Sequence, residues 1–249
     1  MKAISLRDIR KRFMAQPEKY LNLKKQRGMT LLEIIIVLGI IGTIAAGVVI
    51  LAQRAFDSKA ISDLVTNTNT VRTTIKETFG PSGIYPTTND TATLALTEST
   101  IKDPAQSAVP IATLVQLGKI STNEAKNNIS SNYFNIGAAT IGTAAGNRAY
   151  FVEVNGLDQK QCRNILLQTG NQWDYVSVVN QADGAGTYSV TAGTVPNLAD
   201  TAVDPATVAA GGGGVIRSLA DQGNHTLTPQ NVINLCSDSA ENGLVLGSR

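Results

Sequence analysis

Lys24-Lys25-Gln26-Arg27-Gly28-Met29-Thr30-Leu31-Leu32-Glu33 opens the stretch that decides how this chain reads, and residues 34–52 complete it. A basic cluster meets one small residue, Gly28. A lone carboxylate, Glu33, then heads an apolar run with no further charge before Arg54. An ordinary secretion signal avoids an acid there and ends in an A-x-A-like site. An ordinary membrane anchor has no use for one. Thr43 is the only polar residue in 34–52, and a helix of about 20 such residues crosses a bilayer. Gly39, Gly42 and Gly47 interrupt the run, each lowering helix propensity by up to about 1 kcal/mol relative to Ala. Close helix packing is one reading, since Thr43 and Gly47 form a small-xxx-small pair. Local unwinding as the chain leaves the membrane is the other.

The helical pattern continues outward. Phe56, Ala60, Leu64, Val71, Ile75 and Phe79 recur at helical spacing, with Arg54, Asp57, Asp63, Arg72, Lys76 and Glu77 elsewhere. Gly80-Pro81 ends the run. One helix from about Thr30 to Phe79 would be roughly 75 Å long. A domain of this size cannot bury it throughout, so lipid or further copies must cover its N-terminal half.

Charge divides the chain at the same place. Residues 1–28 hold nine Lys/Arg and two acids, leaving twelve basic and seventeen acidic groups in the rest. A basic leader before an apolar run holds the N-terminus cytoplasmic. Directly before a long apolar run such a leader reads as a topology signal rather than a nucleic-acid arm, despite Phe13 and Tyr20, and no nucleic-acid partner is expected.

Beyond Phe79, residues 81–110 read as surface loop. Ser121-Thr122-Asn123-Glu124 supplies caps for a short helix within 115–128. Ala149 to Asn155 alternates as a strand that Gly156 breaks. A helix from Asp158 to Thr169 carries Cys162, capped by Asp158 and stopped by Gly170. Strands follow at 174–179, at 215–219 and at 243–247, with 180–214 loop-like. Thr228-Pro229 starts a helix expected to carry Cys236. Segregated helices and strands with long connections indicate antiparallel α+β. The fold class is α+β: a long N-terminal helix, membrane span then amphipathic half, packed on an antiparallel-sheet head.

The chain holds two cysteines. In an exported body a Cys162–Cys236 disulfide is the default, contributing roughly 4 kcal/mol by loop entropy; two buried thiols are the other reading. With one His, His225, and no third Cys, no metal site is expected. No G-x-S-x-G occurs. Residues 211–214, all Gly, precede no Lys-Ser/Thr and read as a flexible turn. His225 reads as a solvated loop residue and Trp173 as core. No catalytic residue and no cofactor is assigned.

Glu33 can lie at the membrane edge and reach water. In a water-poor bundle of these helices it needs a partner. The stretch 24–40 resembles the prepilin signal of type IV pilins, which implies a cut after Gly28. That cut would supply one, the new α-amino group of Met29, about one helical turn away or on a neighbouring copy.

Gly28-Met29-Thr30-Leu31-Leu32-Glu33 and the Ile34-Ile35-Ile36-Val37-Leu38-Gly39-Ile40 that follows resemble the signature of type IV pilins. The long leader and the Met after the cut resemble the type IVb branch. Leu51-Ala52-Gln53-Arg54-Ala55, Leu117-Gly118-Lys119-Ile120, Glu124-Ala125-Lys126-Asn127 and Asn155-Gly156-Leu157 are similar to the enteric type IVb major pilins, those of the toxin-coregulated, CFA/III and longus pili. Residues 87–112 and 180–214 have no counterpart in that pattern. The resemblance implies a lollipop with an antiparallel sheet on the helix, a leader over 1–28, an assembly helix over 29–53 and a head over 54–249. It implies cleavage at Gly28–Met29 by a prepilin peptidase, N-methylation of Met29, an assembly role for Glu33, and Cys162 and Cys236 bracketing a variable region. Further implied partners are other copies of the chain in a helical homopolymer, an assembly ATPase with its inner-membrane platform, minor pilins, and host-cell surfaces or neighbouring pili. The chain would sit in the inner membrane and then in an extracellular filament for aggregation, adhesion and colonisation. The rivals are a type II secretion pseudopilin, which shares the signal and Glu33, and a membrane-anchored periplasmic binding protein, which predicts an uncleaved monomer.

Overall fold

Leu31–Phe79 forms one 49-residue helix, α1, in the computed structural model, which describes residues 30–143, 146–181, 186–238 and 241–249. The chain divides into two compact units, the first ending at Arg54 and the second running Ala55–Arg249.

In the second unit α1 buries Ile61, Leu64, Thr68, Val71, Thr74 and Ile75. The expected face holds at Leu64, Val71 and Ile75, and Phe79 packs half-buried on the core. Phe56 does not belong to it, being 70% exposed, and Ala60 is only half-buried. Thr68 and Thr74 complete the face because their hydroxyls donate to the carbonyls of Leu64 (2.7 Å) and Thr70 (2.8 Å), so no polar atom is left bare.

The head is built on five antiparallel strands: β1 (Asn135–Ala139), β2 (Ala149–Leu157), β3 (Tyr175–Gln181), β4 (Gly214–Arg217) and β5 (Glu241–Ser248). Their order is β1-β2-β5-β3-β4, so the last strand in sequence sits at the centre. Among the described residues four further helices accompany them: α2 (Asp90–Leu94) and α3 (Pro110–Gln116) before β1, α4 (Gln159–Thr169) between β2 and β3, and α5 (Pro229–Val232) between β4 and β5. Strand neighbours alternate between two clusters. Tyr150, Val152 and Val154 of β2 join the cluster that holds the α1 face, Ile165 and Leu166 of α4, and Cys162 and Cys236. Phe151 of β2, Tyr175 and Val245 join the other, with Val190 and Leu198. Both faces of the sheet are therefore buried.

Several expectations are corrected. Gly156 does not end β2. It makes a bulge at φ +69°, and the strand resumes at Leu157, paired with Asn242. α4 does end at Thr169 with Gly170 as its C-cap, as expected, but not through a left-handed cap: the chain passes through Gly170 at φ −57° into a 3-10 turn, and a Cβ there would meet Leu227 Cδ1 at 2.5 Å. Residues 81–110 are not a bare loop: α2 and α3 bracket short turns, and Leu96, Ile101 and Val109 are buried. Ser121 and Glu124 do make the reciprocal capping bonds, at 2.8 and 3.3 Å, but no helix follows. Asn67 of α1 takes the Asn123 and Lys126 carbonyls instead, both at 3.3 Å. Finally, α5 ends at Val232 and does not carry Cys236. The carbonyls of Ile233 and Asn234 are drawn to Arg163 and to the Gly211 amide, so the helical ladder stops.

Candidate assembly site

Thr30 caps α1. Its hydroxyl accepts from the Glu33 amide at 3.2 Å, and its carbonyl from the Ile34 amide at 3.2 Å. Thr30-x-x-Glu33 is thus a capping-box spacing, a signal present in the sequence that sequence reasoning passed over. Glu33 also lies in the first turn, where the helix dipole favours an anion. The Glu33 side chain is exposed. The expected cleavage and methylation residues, Gly28 and Met29, lie outside the described residues.

Above Glu33 the helix presents only apolar surface. Leu32, Ile35, Leu38, Ile41 and Ile44 are each more than half exposed. The most apolar window has a mean hydropathy of 3.0, and none of it is buried within the chain. Thr43 keeps its hydroxyl bond inside the helix, donating to the Ile40 carbonyl at 2.8 Å, so it presents no unsatisfied donor to an apolar neighbour. Around Gly39, Gly42 and Gly47 a Cβ would meet nothing within 4 Å. The glycines therefore leave a shallow, open surface that the chain itself does not use.

In the head, Cys162 and Cys236 are joined by a disulfide, with Cα atoms 6.1 Å apart and both residues fully buried. Trp173 is core, as expected, at 1% exposure. His225 is half-buried, and its carbonyl accepts from Arg217 at 2.9 Å. The glycines at 211–214 are not a loose spacer: a Cβ on Gly213 would meet the Val178 carbonyl oxygen at 2.8 Å. Among the described residues, no group of three His, Cys, Asp or Glu is placed to hold a metal.

One buried polar centre was not anticipated. Glu153 of β2 is fully buried. It accepts from the Ser189 amide (2.5 Å), the Ser189 hydroxyl (2.6 Å), the Val190 amide (3.2 Å) and Asn135 Nδ2 (2.8 Å). Burial pushes its carboxyl above the usual carboxylate range, and these hydrogen bonds oppose the shift. The bonds fasten residues 189–190 over the second face of the sheet. The alternation of 149–155 does put Glu153 opposite the α1 face; what no local pattern shows is that another segment covers it there.

The chain matches two family models: the toxin-coregulated pilus subunit TcpA over residues 113–243, and the prokaryotic N-terminal methylation motif over residues 23–49. It is 37% identical over 226 residues to a toxin coregulated pilin of Vibrio cholerae, covering 90% of each chain. It is 35% identical over 227 residues to the toxin coregulated pilin of a Vibrio cholerae serotype O1 El Tor strain, again over 90% of each. The crystal structure of TcpA, a type IV pilin from the El Tor biotype of Vibrio cholerae, superposes with a TM-score of 0.58 at 26% identity, covering 77% of this chain and 99% of that one. One family model thus takes the N-terminal signal, the other takes the disulfide-bearing head, and the full-length relatives join the two. On this evidence the chain belongs to the toxin-coregulated pilus subunit family of the type IV pilins.

Proposed function

We propose that this pilin is the major subunit of a type IVb pilus and polymerises through its N-terminal helix into surface filaments. The observation that carries the reading is the bare apolar surface of α1 with Glu33 in its first turn. Exposed apolar area costs roughly 25 cal/mol per Å² in water, so this helix requires an apolar environment. The segment from Leu31 to Arg54 is about 35 Å long, enough to span a bilayer core. The same surface packs against other copies once the subunit leaves the membrane. A match to the TcpA family over the head, beyond the shared N-terminal motif, supports a pilin over a secretion pseudopilin.

In this reading a prepilin peptidase removes residues 1–28 at Gly28–Met29 and methylates Met29. The basic leader keeps that end cytoplasmic, and the head, residues 54–249, faces the periplasm. An assembly ATPase, its inner-membrane platform and minor pilins drive polymerisation of the 29–53 segment. The carboxylate of Glu33 pairs with the Met29 ammonium and sets the register between copies. The filament serves aggregation, adhesion and colonisation through the head. The role is structural, with no reaction catalysed. Intact-mass measurement of filaments sheared from cells tests this reading. The expected subunit begins at Met29, carries one added methyl group and retains the 162–236 bond. A subunit beginning elsewhere, or a surface form that is only monomeric, overturns it.

A further inference from the structure

The disulfide lies beside the entry of the central strand. β2 ends at Leu157, Asp158 caps α4 at once, and Cys162 stands in the first turns of that helix. Cys236 stands a few residues before β5, which begins at Glu241. Asn242 of β5 sits between Leu157 of β2 and Asn180 of β3. Its buried side chain donates to the Leu157 carbonyl at 3.2 Å and to the Ser237 carbonyl at 3.0 Å, and accepts from the Ser237 amide at 2.8 Å. Gln159 donates to the Cys236 carbonyl at 3.1 Å. The end of β2, the disulfide and the start of β5 thus form one small ring.

That ring changes a distance along the chain. Leu157 and Asn242 are 85 residues apart in sequence. Through the disulfide they are about a dozen residues apart, and loop-closure cost rises with the logarithm of that length. Register is also at stake. β2 bulges at Gly156 just before Leu157, and a one-residue slip of β5 would turn Leu244 and Leu246 out of the α1-side cluster. We infer that the Cys162–Cys236 bond, with Asn242, acts as a register clamp that seats the C-terminal strand between β2 and β3. The bond is then more than a cross-link of the 74-residue span it closes. Without it the β1–β2 pair still forms from neighbouring sequence, while the slot between β2 and β3 fills late.

The two roles separate by lengthening the chain outside the cross-linked span. Twenty Gly and Ser residues inserted directly after Asp238 leave the disulfide, the span it closes and the residues packed around it in place. The insertion lengthens only the path from Cys236 to Asn242. The full mature pilin, held in detergent micelles with its disulfide intact, is refolded from urea and pulse-labelled by hydrogen exchange. Amides of residues 243–247 are expected to gain protection about fourfold more slowly than in the parent chain, from the ratio of path lengths. Amides of residues 149–153 that face β1 are expected to keep the parent rate. In Cys162→Ala/Cys236→Ala the delay for 243–247 is expected to reach about twentyfold, or protection there is never gained while β1–β2 still protects. An insertion variant whose β5 gains protection at the parent rate overturns the clamp, because a plain cross-link predicts no change. Equal slowing of both strand pairs overturns it as well.

Discussion

The Arg72 guanidinium lies over the Trp173 indole, its central carbon 4.7 Å from the ring centroid. Arg72 comes from α1 and Trp173 from the turn that leads into β3, so the contact fastens the helix to the sheet. The same guanidinium reaches Ser248 at the end of β5 (3.5 Å), and Ser248 donates to Asp174 at 3.0 Å. Tyr150 meets the indole edge-on, with ring centroids 6.3 Å apart. A half-desolvated cation–π contact contributes about 1 kcal/mol, and the buried Arg stem adds packing. Arg72→Ala is expected to lower head stability by about 1–2 kcal/mol, and Arg72→Lys by less. Trp173 is the only tryptophan, so urea denaturation followed by its fluorescence reads the change directly. An unaltered midpoint in the Ala variant would show that the contact contributes nothing.

A fragment beginning at Ala55 is expected to fold and remain monomeric. The compact unit starts there, and its α1 face is covered by its own core, whereas residues 31–51 are bare. Sedimentation of the purified fragment checks the state of association, and denaturation checks cooperativity. Filaments grown from that fragment would place the assembly element outside the apolar helix.

Glu153 gives a pH dependence whose sign follows from its environment. Burial raises its carboxyl above the ordinary range, and the unfolded chain keeps the ordinary value near 4.3. The folded state therefore holds the proton more tightly. The stability this contributes is complete below about pH 4 and is lost as pH rises through the folded value. Tyr188 stays neutral beside it, because burial and the negative charges of Glu153 and Asp90 all raise its hydroxyl pKa. No cation pairs with Glu153 among the described residues. Wild-type head is expected to lose more urea resistance between about pH 4 and pH 8 than Glu153→Gln does. A Gln variant with the same pH slope would assign the dependence to other groups.

What the sequence showed, and what it did not, divides along local and non-local lines. The apolar run, its flanking charges and the Asp158 cap of α4 act within a few residues, and each is visible in the chain itself. β1 was missed because Asn-Ile-Gly-Ala-Ala is buried on both faces and small, so it shows no alternation. α3 carried a signal that went unread: Pro110 at the first position, then Ile111, Leu114 and Val115 at helical spacing. The central place of β5 and the covering of Glu153 depend on contacts far apart in sequence. No local pattern encodes either.

Glu33→Gln is expected to block assembly while leaving insertion and cleavage intact. In the bilayer Glu33 lies at the head of the span, where a carboxylate reaches interfacial water, so neutralising it costs the inserted state little. In a filament the apolar helices pack together and water is excluded. The ammonium that the proposed cleavage would create on Met29 then needs a carboxylate, and Gln offers only a dipole. Stranding one member of a buried charge pair is strongly unfavourable. Repeated at every subunit, it shifts polymerisation by on the order of a hundredfold or more. The Thr30 cap does not compensate, because its bond is to the Glu33 backbone amide and survives the substitution. Glu33→Asp keeps the charge and shortens the reach, so piliation is expected to fall between the two. Immunoblots of the inner membrane measure insertion, mass spectrometry measures cleavage, and electron microscopy counts filaments. Parental piliation in the Gln variant would reduce Glu33 to the capping and dipole role that its place in the first turn already explains.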